Sequence, residues 1–381
     1  MKMLKTRNIL IVVFVLINFA IFSQHKSFYD EEGFLKNRFE YNFGIGASSC
    51  LSDVGGSDLT EQELKKKFGG TLLRGVYDTD IAKSNLVLTG AFIYHLKPKV
   101  NLRGNLAFAF LSGSDDQSSI NYRVNRNLSF RTDIVEFTAM TEYYIFKPST
   151  GNKFNLKGVS GHKLAKGSLG QIGLYVMAGV GGFLYTPRAK INLSYDVNDP
   201  ENDAYLSNYN LIDNNKYHKL RPLHTEGQGF ITSNGLPTDL EGANRGKIFK
   251  ENKTYKLVSM CIPVGFGIEK AFNNDMGIKI EFASRFTFTD YIDDVSGTYY
   301  SKELLATNPH LGDKAELAAT MSGTSSGDNP TWNAVGQQRG GSSSNDYYGF
   351  ITFSMYKKFA GHSKWYKNAN INKTRKIKAS F

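Results

Sequence analysis

One pattern constrains this chain more than any other. Apolar residues alternate with small or polar ones, residue by residue, in runs of about ten, the signature of strands that cross a membrane. In the first run Phe39, Tyr41, Phe43, Ile45 and Ala47 share one face. Glu40, Asn42, Gly44, Gly46 and Ser48 share the other. Further runs span Asn85 to His95, Val100 onward, Ile134 to Phe146, Ile172 to Leu184, Tyr255 to Glu269, Gly277 to Thr289 and Tyr347 to Phe359. Pro263 lies inside the sixth run and removes a ladder donor, so a bulge is expected there. Eight strands, an even number, suit closure. In a soluble sandwich the second face would meet water and be broadly polar. Here it mixes single charges with Gly, Ala and Ser, as a crowded interior does. The fold class expected is all-β: an eight-stranded antiparallel transmembrane β-barrel with long extracellular loops.

The N-terminus carries Lys2, Lys5 and Arg7 ahead of an apolar run from Ile9 to Phe22. This reads as a signal peptide over residues 1–23, followed by the barrel over 24–359 and a basic tail over 360–381. Mean hydropathy is −0.34, and no later run reaches the roughly 20 apolar residues of a spanning helix. Loss of the leader takes the formal charge from +11 to +8. A basic chain suggests nucleic acid, but export argues against it. Outer-membrane lipid, lipopolysaccharide or an acidic protein surface are the expected partners.

Loop lengths orient the barrel. Short connections at 96–99 and 271–275, with 147–170, fall on the side of both termini. The long ones, 49–84, 112–133, 185–254 and 290–346, fall on the other. Short turns are periplasmic and long loops extracellular in such barrels, so both mature termini are expected in the periplasm. Within the long loops, Thr60 and Glu63 form a capping box for a short helix through Phe68. Ala189 to Val197 and Gly227 to Ser233 read as ribbons extending the barrel. Gly323 to Ser344, rich in Gly, Ser and Asn, reads as mobile.

Inward positions carry Glu40, Arg103, Glu136, Glu142, Glu269, Lys279, Glu281 and Arg285. Eight strands leave room only for side chains, and buried charges need partners. The expectation is an ion-paired plug. At the outer mouth, Arg285 and Arg339 are expected to pair with Glu226, Asp290, Asp293 or Asp294. Asp290, Asp293 and Asp294 are also a weak Ca²⁺ candidate, although their spacing is not that of an EF-hand. His224 beside these acids raises a rim hydrolase that activates water, a reading resting on one histidine. The remaining histidines lack metal spacing. No cofactor is expected. Cys50 and Cys261 face inward on strands that are not neighbours, so free thiols are expected.

The periplasmic side is basic. Lys147, Lys153, Lys157, Lys163 and Lys166 lie in one segment without an acid. Lys364, Lys367, Lys373, Arg375, Lys376 and Lys378 lie in the tail, also without one. They suit anionic head groups or an acidic patch on a periplasmic partner.

Four motifs go beyond periodicity: 220–229 (LRPLHTEGQG), 285–296 (RFTFTDYIDDVS), Arg339-Gly340 followed by Asn345-Asp346, and 126–130 (RNLSF) leading to Glu136. Together, in their order and spacing, they resemble the PorG-type outer-membrane barrels of the type nine protein secretion machinery. The resemblance spans nearly all of the mature chain. It implies a non-enzymatic barrel associated with a periplasmic ring of a lipoprotein and its partner protein, and with gliding motility. The chain departs from that pattern by longer outer loops and by the basic tail. The alternative is an outer-membrane barrel that binds a ligand or carries a small solute through its extracellular loops.

Overall fold

The computed structural model describes residues 38–55, 85–97, 99–115, 118, 120–148, 172–191, 216–229, 254–272, 275–323, 330–342 and 344–359. Eight strands form a ring: β1 (Phe39–Leu51), β2 (Asn85–Lys97), β3 (Val100–Ser114), β4 (Ser129–Phe146), β5 (Ile172–Ala189), β7 (Val258–Ala271), β8 (Met276–Thr287) and β9 (Tyr347–Phe359). Neighbours are antiparallel throughout, and the ring closes through β1–β9 and β4–β5. A two-residue strand, β6 (His218–Lys219), extends β5 beyond the reach of β7.

Alternation along each strand produces the two faces of the wall. Phe43 is 57% exposed and Phe137 63%, while Glu40 and Glu136 between them on the inner side are 0% exposed. The outward face of every ring strand is apolar at mid-height, for example Leu88, Leu106, Val180, Met260, Ile280 and Phe353. An apolar belt around the whole circumference far exceeds the few hundred Å² that a soluble surface tolerates. Hydrocarbon is the solvent this belt fits.

The small bore depends on inward glycines. A Cβ on Gly46 would lie 2.0 Å from the Ile351 carbonyl oxygen, and one on Gly179 would lie 2.1 Å from that of Ala139. At both positions the neighbouring backbone occupies the space a side chain would need.

Several expectations are corrected here. β4 begins five residues earlier than read, at Ser129, and β5 runs on to Ala189. β7 starts at Val258, leaving Tyr255 outside the strand, and β8 ends at Thr287. Pro263 makes no bulge. It pairs in register with Arg285 of β8, while the β5 ladder skips it and resumes in the same register. Only the donor is lost, and the side facing β5 absorbs the gap. β5 is extended by β6, with Arg188 opposite Lys219. Gly227 and Gly229 lie instead in turns, at φ +69° and +84°. Residues 330–342 are built into the mouth by a 3-10 turn at Pro330–Asn333 and a bridge between Thr298 and Gln338. The helix expected from Thr60 to Phe68, residues 1–37 and the tail 360–381 lie outside the described residues.

The long connections gather at one end. Three helices, α1 (Asn121–Arg126), α2 (Lys302–Ala306) and α3 (Ala315–Ser322), sit there with a 3-10 turn at Arg221–Leu223. The 3-10 turn, α2 and α3 bury a core of Leu220, Leu223, Leu305, Leu311, Ala318 and Met321 against Ala189 and Ile191. A second core fills the upper barrel, with Val87, Leu111, Phe130, Ile134, Phe183, Tyr348 and Phe350 under Ile292 and Val295. Loop residues thus cork the barrel from above. Cys50 packs against this core and Cys261 lies within it, both as free thiols.

Candidate functional site

The interior and the mouth hold the charged residues. In the lower barrel, Lys279 Nζ donates to Glu40 Oε1 at 2.5 Å, and His95 Nε2 lies 3.1 Å from the other Glu40 oxygen. His95 also meets Asn101, which donates to Glu142 at 2.9 Å. Arg103 grips Glu281 with both terminal nitrogens and reaches Glu142 at 3.2 Å. Tyr175 donates to Glu281 at 2.5 Å and Tyr144 to Glu269 at 2.5 Å. One layer higher, Arg285 makes a two-nitrogen contact with Glu136 at 3.0 and 3.3 Å. Tyr348 donates to the same carboxylate at 2.7 Å, and Phe350 stacks on the guanidinium at 3.9 Å.

Arg285 therefore corrects the expected loop network. It points into the barrel and pairs across the bore with β4, so none of Glu226, Asp290, Asp293 or Asp294 is its partner. Between the two ion-paired layers lies a cavity of ≈ 20 Å³ lined by Thr89, Arg103, Asn105, Glu281, Arg285 and Thr352. That is room for about one water.

The mouth is organised by two other arginines. Arg339 donates to Glu226 at 3.0 Å, to the Asp294 carbonyl at 2.8 Å and to the Ser322 carbonyl at 3.1 Å. Glu226 in turn accepts from the amides of Ser296 and Gly297 at 3.0 and 3.1 Å. Arg126, the last residue of α1, makes a bidentate pair with Asp115 at 2.8 and 2.9 Å. It also donates to the carbonyls of Arg339 and Asp53 at 2.6 and 2.7 Å. Further carboxylates cap backbone amides, some across loops and some within one. Asp293 takes Val54 and Val295, Asp346 takes Ile292, and Asp53 takes Gly341. Asp294 accepts from Thr225 at 2.5 Å and from the Tyr255 hydroxyl. Four connections are thereby tied into one clamp.

Sequence reading missed Arg126, Asp53, Asp115 and Asp346 as members. Two signals existed for them: Arg126 opens the 126–130 motif, and Asp346 closes the Asn345-Asp346 pair.

Asp293 serves the Val54 and Val295 amides and Asp294 the Thr225 and Tyr255 hydroxyls, while Asp290 Oδ2 is buried without a hydrogen-bond partner among the described residues. Among the described residues no three His, Cys, Asp or Glu side chains form a group that could hold a metal ion. Burial sets the protonation of the mouth. It pushes Asp290 up to about 7, helped by repulsion from Asp53 and Glu226. Burial also raises Asp294 to about 6, against the attraction of Arg339. Burial holds Asp293 and Asp346 well above the usual range, helped by repulsion from Asp53 at Asp293 and from Asp293 and Asp290 at Asp346. His224 sits in the left-handed region at φ 50° with Nδ1 on the Gln228 carbonyl. The neighbouring carboxylates are occupied: Glu226 by Arg339 and two amides, Asp294 by two hydroxyls.

The basic residues Lys153, Lys157, Lys163, Lys166, Lys364, Lys367, Lys373, Arg375, Lys376 and Lys378 fall outside the described residues. Lys147, half-buried, lies at the turn end.

A closed ring, a lipid-facing belt and a filled bore are now established. The chain is an outer-membrane-type eight-stranded β-barrel. No protein-family model and no curated protein sequence matches it. Solved structures that align include Ail, the attachment invasion locus protein of Yersinia pestis, at 8% identity and TM-score 0.30, covering 85% of this chain and 99% of that one. The outer membrane protein OprG of Pseudomonas aeruginosa aligns at 8% identity and TM-score 0.26, covering 86% and 98%. The outer membrane protease OmpT of Escherichia coli aligns at 10% and 0.26, covering 84% and 97%. Scores this low carry no functional weight, and the barrel assignment rests on the ring and its belt.

Proposed function

We propose that this chain is a non-enzymatic outer-membrane barrel of the type nine protein secretion machinery, docking or anchoring the periplasmic ring complex to the membrane. The capped end faces outward and the turn end faces the periplasm. The observation that carries the anchoring role is the filled interior: a bore closed by paired charges suits a fixed post in the membrane. The resemblance of its motifs to PorG-type barrels supplies the machinery.

Charge at the turn end supports a docking face there. Lys97, Lys99, Lys147, Lys270, Lys357 and Lys358 surround that end, exposed or half-buried. The lysines of 147–170 and the basic tail add to the same side by sequence. An acidic surface on a ring lipoprotein or its partner protein is the complement such a face recognises, through encounter rate and orientation. The ion-paired interior speaks against carriage of a solute, and the ties of Glu226 and Asp294 to the clamp speak against rim hydrolysis.

The test is a pull-down of tagged full-length protein from outer membranes in mild detergent, beside a version lacking residues 360–381. Co-purification of periplasmic ring components, lost on truncation, is expected. Recovery of the barrel alone from both samples contradicts the docking role. Protease added to intact cells checks the orientation separately, since only outward loops are cut.

A further inference from the structure

Above the lipid-facing belt, one sector of the wall breaks a rule of strand pairing. Arg131 of β4 lies directly opposite Arg188 of β5, and Arg188 lies directly opposite Lys219 of β6. All three sit on the outward alternation, beyond the lipid-facing Val135 and Leu184, which also oppose each other. Like charges directly opposite destabilise a sheet, and here two such pairs stand in a row. Among the described residues one carboxylate is ion-paired with this row, Asp133, at 2.9 Å from Arg188. Lys190 adds a further cation over the half-exposed Tyr217 ring at 4.9 Å, and Arg131 reaches the same ring at 5.6 Å. Arg131 also lies over Phe110 at 4.5 Å.

The rest of the circumference differs. At comparable height the outward positions are Ser49 and Leu51 on β1, Leu86 on β2, Ser112 on β3, Phe288 after β8 and Tyr347 on β9, while the exposed Lys256 ahead of β7 adds a cation next to β5. The cations are thus gathered on the sector from β4 to the start of β7. Arg131 is four residues beyond Val135, which places it roughly 10 Å above the hydrocarbon edge for a tilted strand. That is the depth of a head group.

From this row we infer a binding site for a phosphorylated glycolipid of the outer leaflet, of the lipid A kind. Arg131, Arg188 and Lys219 hold its phosphate, Tyr217 and Phe110 fix the guanidinium and ammonium groups, and the acyl chains lie along Val135 and Leu184. Guanidinium forks match phosphate geometry, and the site is continuous with the belt where the chains must run. The phosphate removes the repulsion that the row otherwise carries. The inference rests on the capped end facing outward.

The test uses full-length refolded barrel in detergent, with retained lipid read by native mass spectrometry. Probes are lipid A, lipid A stripped of phosphate, phosphatidylglycerol and inorganic phosphate. The variant is Arg131→Gln/Arg188→Gln/Lys219→Gln, with Lys314→Gln, an exposed lysine outside this row, as control. Heat-modified gel mobility verifies folding. Lipid A is expected to bind wild type and the control alike, and the triple variant roughly 100-fold more weakly, at about five-fold per charge. Removing the phosphate should cost the wild type a similar factor, an arm that needs no variant to fold. Equal retention of stripped lipid A, or unchanged binding by a folded triple variant, overturns the site. Equal affinity for phosphatidylglycerol reduces it to a general anionic contact, and displacement by millimolar inorganic phosphate makes it a free-phosphate site. Either result also rejects the proposal.

Discussion

The barrel interior and the mouth are both dense in buried charge, yet they satisfy it differently. In the interior, carboxylates meet side chains: Glu136 takes Arg285 and Tyr348, and Glu281 takes Arg103 and Tyr175. In the mouth, carboxylates also meet backbone: Asp293 takes Val54 and Val295, Asp346 takes Ile292, and Glu226 takes Ser296 and Gly297 beside Arg339. The cause is the ladder. Within a closed ring every amide is spent on its neighbour, so a buried acid must find a cation or a hydroxyl. In loops the amides are unspent, and a short acid can tie two loops together. The interior is therefore joined side chain to side chain, and the mouth is fastened through backbone as well.

That contrast is sharpest when one arginine is removed from each region. Arg285→Met strands Glu136 in the bore and should cost about 3–5 kcal/mol of barrel stability. The measurement is urea unfolding followed by heat-modified mobility. Adding Glu136→Gln should restore most of the loss, because the double variant buries no lone charge. If Arg285→Met unfolds like wild type, the pairing is wrong.

Arg339→Ala acts at the mouth and should cost about 2–3 kcal/mol there, since charged donors to buried acceptors are lost. The ring should keep its urea midpoint within error. Limited proteolysis should instead cut near 225 and 296–323. Loss of ring stability equal to that of Arg285→Met would erase the distinction between the regions.

A smaller effect comes from pH. Asp290 and Asp294 have pKa values raised from 3.8 to about 7 and about 6 in the folded mouth. The folded state thus holds protons that the open state releases. Stability from these groups is greatest below about pH 4, and it falls as pH rises toward 7. Amide exchange over 289–297, corrected for its intrinsic rate, should be faster at pH 8 than at pH 5. Asp290→Asn should flatten that dependence, whereas the interior strands should show none of it.

Much of the ring was legible because lipid on the outside makes alternation explicit. Phe43 and Ile45 can face only hydrocarbon, so Glu40 and Asn42 face in, and all eight strands followed from this. Strand parity also placed Arg285 inward. Its partner was misread, because the nearest acids in sequence, Asp290 to Asp294, lie above it while Glu136 lies across the bore on a strand 149 residues away. The clamp was half legible. Glu226 and Arg339 stood out in their motifs, but Asp53, Asp115 and Arg126 act through loops whose meeting no periodicity encodes. The ribbon expected from Gly227 to Ser233 does not start at Gly227, because two glycines at positive φ turn the chain there; residues 230–233 lie outside the described residues, and His218–Lys219 pairs with β5. The Gly- and Ser-rich run after 323 looked loose by composition, yet Arg339 within it is the centre of the clamp.

The central claim is that paired charges and a corked mouth close this barrel, making it a post in the membrane. Conductance across a planar bilayer tests that most directly. Reconstituted full-length protein should give no stepwise current above the bare bilayer, at any voltage the bilayer survives. Steady unit conductance from folded barrels would mean an open path through the bore, and would contradict the account.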